Sequence, residues 1–280
     1  MTIAVTGGNG EFGRAVVEFL TGRTTEPVLA TVRDPAKVRP LDGVEHRPGD
    51  FADPDTLRGS LDGVGTLLIN ATFFGADPSQ RLPLVSAAIT AAAEAGVARI
   101  VLTSWADLDR ATHASVQDYP ELERQVKRAG PAWTILRFGY GLADAVARDV
   151  TWAKRGGELV APAADGTVTP AAVTDLAEAT AAVLTSPGND RSVLEVTGPD
   201  AIGWHDLARL AGVPYRPVTD DDYGTYLQRF DLPAPVADQL VALYTDIRSD
   251  WAGTPTPVLE TLLGHPAVPG LDAVARRVRN

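Results

Sequence analysis

Ile3-Ala4-Val5-Thr6-Gly7-Gly8-Asn9-Gly10-Glu11-Phe12-Gly13 opens the chain as a short β-branched run that passes through glycines into a helix-like segment. Gly7 would permit a tight turn, and Gly10 would let the backbone approach a pyrophosphate at the positive end of the helix. Gly13 would let helix and strand pack closely. A plain strand-to-helix turn needs fewer glycines. The loop therefore points to dinucleotide binding, with Glu11 and Phe12 among its residues.

The same alternation recurs downstream. After the strand at 3–5 and the helix at 13–20, strand candidates at 27–32, 44–47, 66–70, 99–103 and 133–137 are interleaved with helix candidates at 53–61, 82–95 and 121–129. Runs such as Thr66-Leu67-Leu68-Ile69 and Ile100-Val101-Leu102 are continuously apolar, as strands are when helices cover both faces of a sheet. The pattern predicts an α/β fold, a Rossmann-type doubly wound parallel sheet, with a smaller, mostly helical C-terminal lobe. Past about residue 140 the rhythm loosens at Gly156-Gly157, Pro162 and Pro170. A helix at 174–184 and a strand at 193–197 follow. The expected division is a core over 1–152, with 167–197 returning to the sheet, and a substrate-side lobe over 198–280. Asp220-Asp221-Asp222 after Thr219 suits the charged first turn of a helix.

Composition narrows the function. Among 280 residues, 25 Lys and Arg against 36 Asp and Glu give a net charge of −11, with no local basic patch. That balance argues against nucleic acid and anionic membranes as partners. The absence of cysteine removes thiolate metal sites and cysteine nucleophiles, and four scattered histidines make no zinc site, so no metal is expected. Neither a G-x-S-x-G elbow nor a P-loop occurs. The N-terminus lacks the basic and apolar regions of an export signal, which makes a cytoplasmic location the expectation.

The G-x-x-G-x-x-G spacing is similar to that of extended and atypical short-chain dehydrogenases. The whole chain resembles their NmrA-like branch, which includes NADPH-dependent quinone reductases and non-catalytic redox sensors. The resemblance is carried by Val32-Arg33-Asp34-Pro35-Ala36-Lys37, Gly49-Asp50-Phe51-Ala52-Asp53 and Gly130-Pro131-Ala132-Trp133-Thr134-Ile135-Leu136-Arg137. Toward the C-terminus Thr197-Gly198-Pro199-Asp200-Ala201 and Leu262-Leu263-Gly264-His265-Pro266 also match.

In a dinucleotide fold the residue ending strand two faces the adenosine ribose, where an acid binds the 2′-hydroxyl and an arginine accommodates a 2′-phosphate. That residue is Arg33, with Lys37 a helical turn further on, so NADP(H) is expected ahead of NAD(H). Asp34 is the objection, because it would either bind a ribose hydroxyl or neutralise Arg33. The resemblance implies that Asp50 and Phe51 meet the adenine. It also implies that Ala71 and Thr72 pass the ribose and nicotinamide, and Thr103 at the end of strand five joins these cofactor-facing residues.

The usual catalytic set of the superfamily is altered. Tyr119 falls at the tyrosine position of Y-x-x-x-K, but Glu123 stands at the lysine position, and a carboxylate raises a phenol's pKa. Trp105 occupies the serine position, with Ser104 one residue early. Tyr119 is thus a catalytic candidate, although Pro120 also suits a helix first turn, which would leave Tyr119 only a surface or capping-region residue. His113 is a second candidate, either a proton source or a solvated loop residue. Phe74, Trp105, Phe138 and Tyr140 lie near cofactor-facing strand ends, where aromatic rings would either stack on a flat substrate or pack, each singly, into the core. The expected activity is hydride transfer from NADPH to a quinone or other flat conjugated carbonyl compound, against a non-catalytic redox sensor acting through a protein partner. A homodimer is among the expected assemblies.

Overall fold

The computed structural model describes residues 1–71, 78–139, 142–249 and 251–279. Among them the first half alternates β1 (Thr2–Thr6), α1 (Glu11–Arg23), β2 (Val28–Val32), β3 (Val44–Pro48), α2 (Pro54–Ser60), β4 (Val64–Ile69), α3 (Pro78–Glu94), β5 (Arg99–Ser104), α4 (Tyr119–Arg128) and β6 (Ala132–Arg137). Then come α5 (Leu142–Gly156), β7 (Leu159–Ala161), β8 (Thr167–Val168), α6 (Val173–Thr185) and β9 (Ser192–Glu195). The remainder comprises β10 (Ile202–Gly203), α7 (Trp204–Ala211), β11 (Tyr215–Pro217), α8 (Asp220–Leu227), α9 (Ala234–Arg248), α10 (Val258–Leu263) and α11 (Gly270–Arg279).

Seven strands pair in parallel in the order β3-β2-β1-β4-β5-β6-β9. From β1 the chain winds outward one way to β2 and β3, then crosses to β4 and winds the other way. The order reverses between β1 and β4, and open α/β sheets bind ligands outside the strand ends at such a reversal.

Strand side chains alternate between faces, and that alternation builds two cores. Ile3, Val5, Leu68, Val101 and Leu136 pack on α1 and α6, while Ala4, Leu67, Ile69, Ile100, Leu102 and Ile135 pack on α2, α3 and α4. A third core joins Leu142, Val146 and Val150 of α5 to Trp204, Tyr223, Tyr244 and Trp251. The expected C-terminal lobe is not wholly separate, because Leu259 and Leu263 of α10 return to the face of α1 and α6. Helix α5 was not anticipated. Leu142, Val146, Val150 and Ala153 recur at helical spacing and are buried, so the apolar stripe was present in the sequence beneath its polar interruptions. No described helix is long and apolar enough to cross a membrane.

Candidate functional site

Strand β1 delivers the chain to Gly7, whose φ of +65° is a left-handed conformation that glycine adopts without strain. Gly10 then N-caps α1 and makes no side-chain cap hydrogen bond. At Gly13 a Cβ would stand 2.4 Å from the Gly7 carbonyl oxygen, so only a bare Cα fits beneath the turn. An N-cap without a side chain and a positive helix end suit a diphosphate. The residues present fit a dinucleotide.

Phe12 turns its ring away from the loop surface and into the core. Its ring is 1% exposed and packs 5.4 Å from that of Phe138, so burial leaves it only a backbone contribution to the loop. The same pairing places Phe138, 1% exposed, in the core on the face of α1 and α6, the core reading of its ring.

At the end of β2, Arg33 is exposed and makes no hydrogen bond or ion pair with the described residues. Asp34 is committed elsewhere. Its carboxylate accepts the Ala36 N–H at 3.1 Å and pairs with Lys37 Nζ at 3.0 Å. Asp34 therefore leaves Arg33 unneutralised, and the partner it does neutralise is Lys37. Asp50 accepts the Ala52 N–H at 3.0 Å, and Phe51 is half-buried against the α2 side of the sheet. Asp53 caps α2 by accepting the Thr56 N–H at 3.2 Å.

The exit of β4 is held from three sides. Thr6 Oγ1 accepts the Asn70 N–H at 2.9 Å and Thr103 Oγ1 accepts the Ala71 N–H at 2.8 Å, while Tyr119 Oη donates to the Ala71 carbonyl at 2.9 Å. Thr103 and Ala71 are fully buried, so Thr103 acts on this segment by fixing its path. Thr72 and Phe74, which follow, lie outside the described residues, as does Tyr140.

Tyr119 is the first residue of α4, as Pro120 suggested, yet it is fully buried and not a surface group. Burial pushes its phenol up to about 12, against the opposing pull of Arg81. Arg81, from α3, places its guanidinium carbon 4.5 Å from the centre of the Tyr119 ring and is clamped by Asp118 through bonds of 2.7 Å from Nε and Nη2. The cation beside the tyrosine thus comes from another helix. Glu123 points away to accept Ser104 Oγ at 2.7 Å and Arg137 Nε at 2.7 Å, which also commits the serine hydroxyl.

Beyond Tyr119 an aromatic chain leads into the C-terminal lobe. Half-buried Trp105 lies 6.5 Å from Tyr119 and 6.0 Å from Trp251, and Trp251 lies 4.7 Å from His113, edge to face. The His113 ring is almost wholly buried, with Nδ1 2.5 Å from Asp246 Oδ2 of α9. That carboxylate also accepts the N–H groups of Thr112 at 2.6 Å and His113 at 2.8 Å and the Thr112 hydroxyl. Burial opposes ionisation of Asp246, but the bonds from Thr112 and His113 outweigh it and hold the carboxyl below its usual range. Burial lowers the His113 pKa despite the Asp246 charge. An ionised Asp246 assigns the ring proton to Nδ1, and Nε2 is left buried with no partner among the described residues. The solvated-loop reading of His113 is therefore set aside.

Two strained residues frame this cluster. Asp107 and Ala252 have φ of +53° and +61°, and the Ala252 N–H donates to Asp107 Oδ2 at 3.3 Å. Such conformations persist where the surroundings over-determine them. Arg81, Asp246 and Trp251 were not singled out in the sequence, where each is remote from the residue it serves.

Comparison with known proteins places this geometry. A family model described as NAD(P)H-binding matches residues 7–187. Quinone oxidoreductase 2 of Escherichia coli is 29% identical over 98% of this chain and 97% of its own. The NAD(P)H azoreductase of Xenophilus azovorans is 29% identical over 95% and 94%. The crystal structure of the Escherichia coli NADPH-dependent quinone oxidoreductase complexed with NADPH superposes with a TM-score of 0.90 at 28% identity, covering 98% of this chain and 99% of that one. The chain belongs to the NAD(P)H-binding family, in the NmrA-like branch of atypical short-chain dehydrogenases/reductases.

Proposed function

We propose that this NAD(P)H-dependent oxidoreductase uses NADPH to reduce a quinone or another flat conjugated carbonyl compound. The observation that carries the reading is the unpaired Arg33 beside a bare glycine loop, at the same end of the sheet as the aromatic cluster. Gly7, Gly10 and Gly13 would hold the diphosphate, Arg33 the 2′-phosphate with Lys37 at its rim, and Asp50 and Phe51 the adenine end. When bound, the reduced nicotinamide supplies hydride. Trp105 offers a half-buried ring for a flat acceptor, and the end-to-end likeness to a quinone oxidoreductase and an azoreductase supports such a substrate.

The protein's part in the chemistry is position and a proton. Tyr119, with a raised pKa and a hydroxyl given to Ala71, is a positioning residue that holds the exit of β4. We infer that His113 Nε2, buried beside Trp251 and without a partner among the described residues, handles the proton, and the His113→Asn variant below tests whether the substrate reaches it. Neutral at pH 7, it accepts; once the ring is protonated, Nε2–H gives its proton to the reduced oxygen while Asp246 balances the charge. Because the pKa is lowered from 6.5, the proton-bearing form grows only as pH falls below that value.

The test is NADPH oxidation, followed at the nicotinamide absorbance, with a panel of quinones and conjugated ketones. Arg33→Ala is expected to weaken NADPH binding about tenfold or more through lost charge-assisted bonds while sparing NADH, and equal losses for both would overturn the 2′-phosphate assignment. The kcat of the natural protein is expected to rise as pH falls from 7 toward 5, and His113→Asn to abolish that acid limb with a loss on the order of a hundredfold. An acid limb unchanged in His113→Asn would take the proton from the histidine, and a loss of turnover of about a hundredfold or more in Tyr119→Phe would give it to the tyrosine. Tight NADPH binding without turnover on any acceptor would make the protein a redox sensor instead.

A further inference from the structure

Glu11 is the first residue of the glycine-loop helix and carries its charge where the helix end is positive. A carboxylate is favourable there in the free protein. It becomes a like charge once a diphosphate occupies the same helix end. Across 266 residues, α11 answers it with Arg277, whose Nη1 and Nη2 donate to Glu11 Oε1 at 2.5 Å and Oε2 at 2.8 Å. The Arg277 side chain is 19% exposed and that of Glu11 55%, so the arginine is the better fixed of the two. Its Nε also lies 2.8 Å from Asp144 Oδ1, in the first turn of α5. Burial, with Glu11 nearby, raises the Asp144 pKa against the pull of Arg277. One arginine thus joins three elements, α1, α5 and α11, at the mouth of the phosphate loop.

We propose that Arg277 belongs to the cofactor site: by neutralising Glu11 it removes the negative charge that would otherwise oppose the cofactor diphosphate at the N-terminus of α1. The inference rests on the reading that the glycine loop holds that diphosphate. It makes the last helix of the chain an electrostatic part of a diphosphate subsite otherwise built from the glycine loop.

The experiment is a double-mutant cycle read by calorimetric binding of NADPH to the full chain, with adenosine 2′-monophosphate, which lacks the diphosphate, as second ligand. Arg277→Ala is expected to weaken NADPH about five- to tenfold at low salt, a change that shrinks as salt screens the charge. Glu11→Gln, which removes the charge in question, sets the reference level of the cycle. The double variant should return to that level, whereas Arg277→Ala with Asp144→Asn should not. Adenosine 2′-monophosphate should bind all variants alike, and thermal melting establishes that each is folded.

An equal loss from Arg277→Ala with Glu11 intact and in combination with Glu11→Gln would overturn the proposal, because it would mean that the arginine acts without the glutamate. Unchanged NADPH binding in Arg277→Ala would overturn it too. Failure of the natural protein itself to bind NADPH would instead overturn the cofactor reading on which it rests.

Discussion

Replacing Arg137 by alanine is expected to lower the thermal midpoint by on the order of 10 °C, the equivalent of about 3–5 kcal/mol for a buried charge stripped of its partner. Glu123 is 2% exposed, and Arg137 supplies two of its hydrogen bonds, from Nε at 2.7 Å and Nη2 at 2.9 Å. What would remain is the Ser104 hydroxyl and Lys127, 3.5 Å away and more exposed. The same guanidinium holds Glu195 of β9 at 3.1 Å and Asp109 at 3.0 Å, and Glu195 in turn accepts the Asp107 N–H at 3.0 Å. Arg137 therefore ties β5, β6, β9 and α4 together at the end of the sheet that carries the site. Pairing Arg137→Ala with Glu123→Leu should recover much of the loss, since an apolar side chain leaves no charge to desolvate. Melting followed by circular dichroism checks both, and a drop under about 2 °C for the single variant would show that Lys127 suffices.

Gly13→Ala should reduce NADPH affinity about a hundredfold or more and destabilise the fold by about 1–3 kcal/mol. The added Cβ would meet Gly7 O at 2.4 Å, the Gly7 carbonyl carbon at 2.9 Å and Gly8 Cα at 3.3 Å. These are backbone atoms and cannot rotate away, so helix and loop must separate and the amides leave their common focus. Gly10→Ala provides the contrast, because its Cβ would meet nothing closer than Gly7 O at 3.3 Å. That variant should keep its melting temperature and lose affinity only where the methyl stands in the path of the ligand. Calorimetry beside melting separates the two. Near-normal binding by Gly13→Ala would mean that the loop is not the phosphate site.

Much of the framework was legible in the chain. The glycine loop, the alternation of apolar strands with helices and the placement of Arg33 after β2 depend on neighbouring residues, through backbone sterics, side-chain alternation and the charge at a helix end. Helix α5 was legible as well but was obscured by Gly156-Gly157 and the prolines after it. Local reasoning failed wherever a residue's environment came from distant chain. Phe12 and Phe138 look like site residues in sequence, yet each supplies the other with a ring to pack on.

Tyr119 illustrates the division most sharply. Its position in the chain was readable, but its burial, its bond to Ala71 and the cation over its ring come from β4 and α3. His113 needed Asp246 from 133 residues away to become an oriented imidazole, and Glu11 needed Arg277 from 266 residues away to become compatible with a phosphate. The sequence by itself determined a parallel α/β sheet with a dinucleotide loop, because strand, turn and helix are set by residues a few positions apart. Only the tertiary structure decided which charges are neutralised and which remain available, because desolvation and pairing depend on what folds against each group.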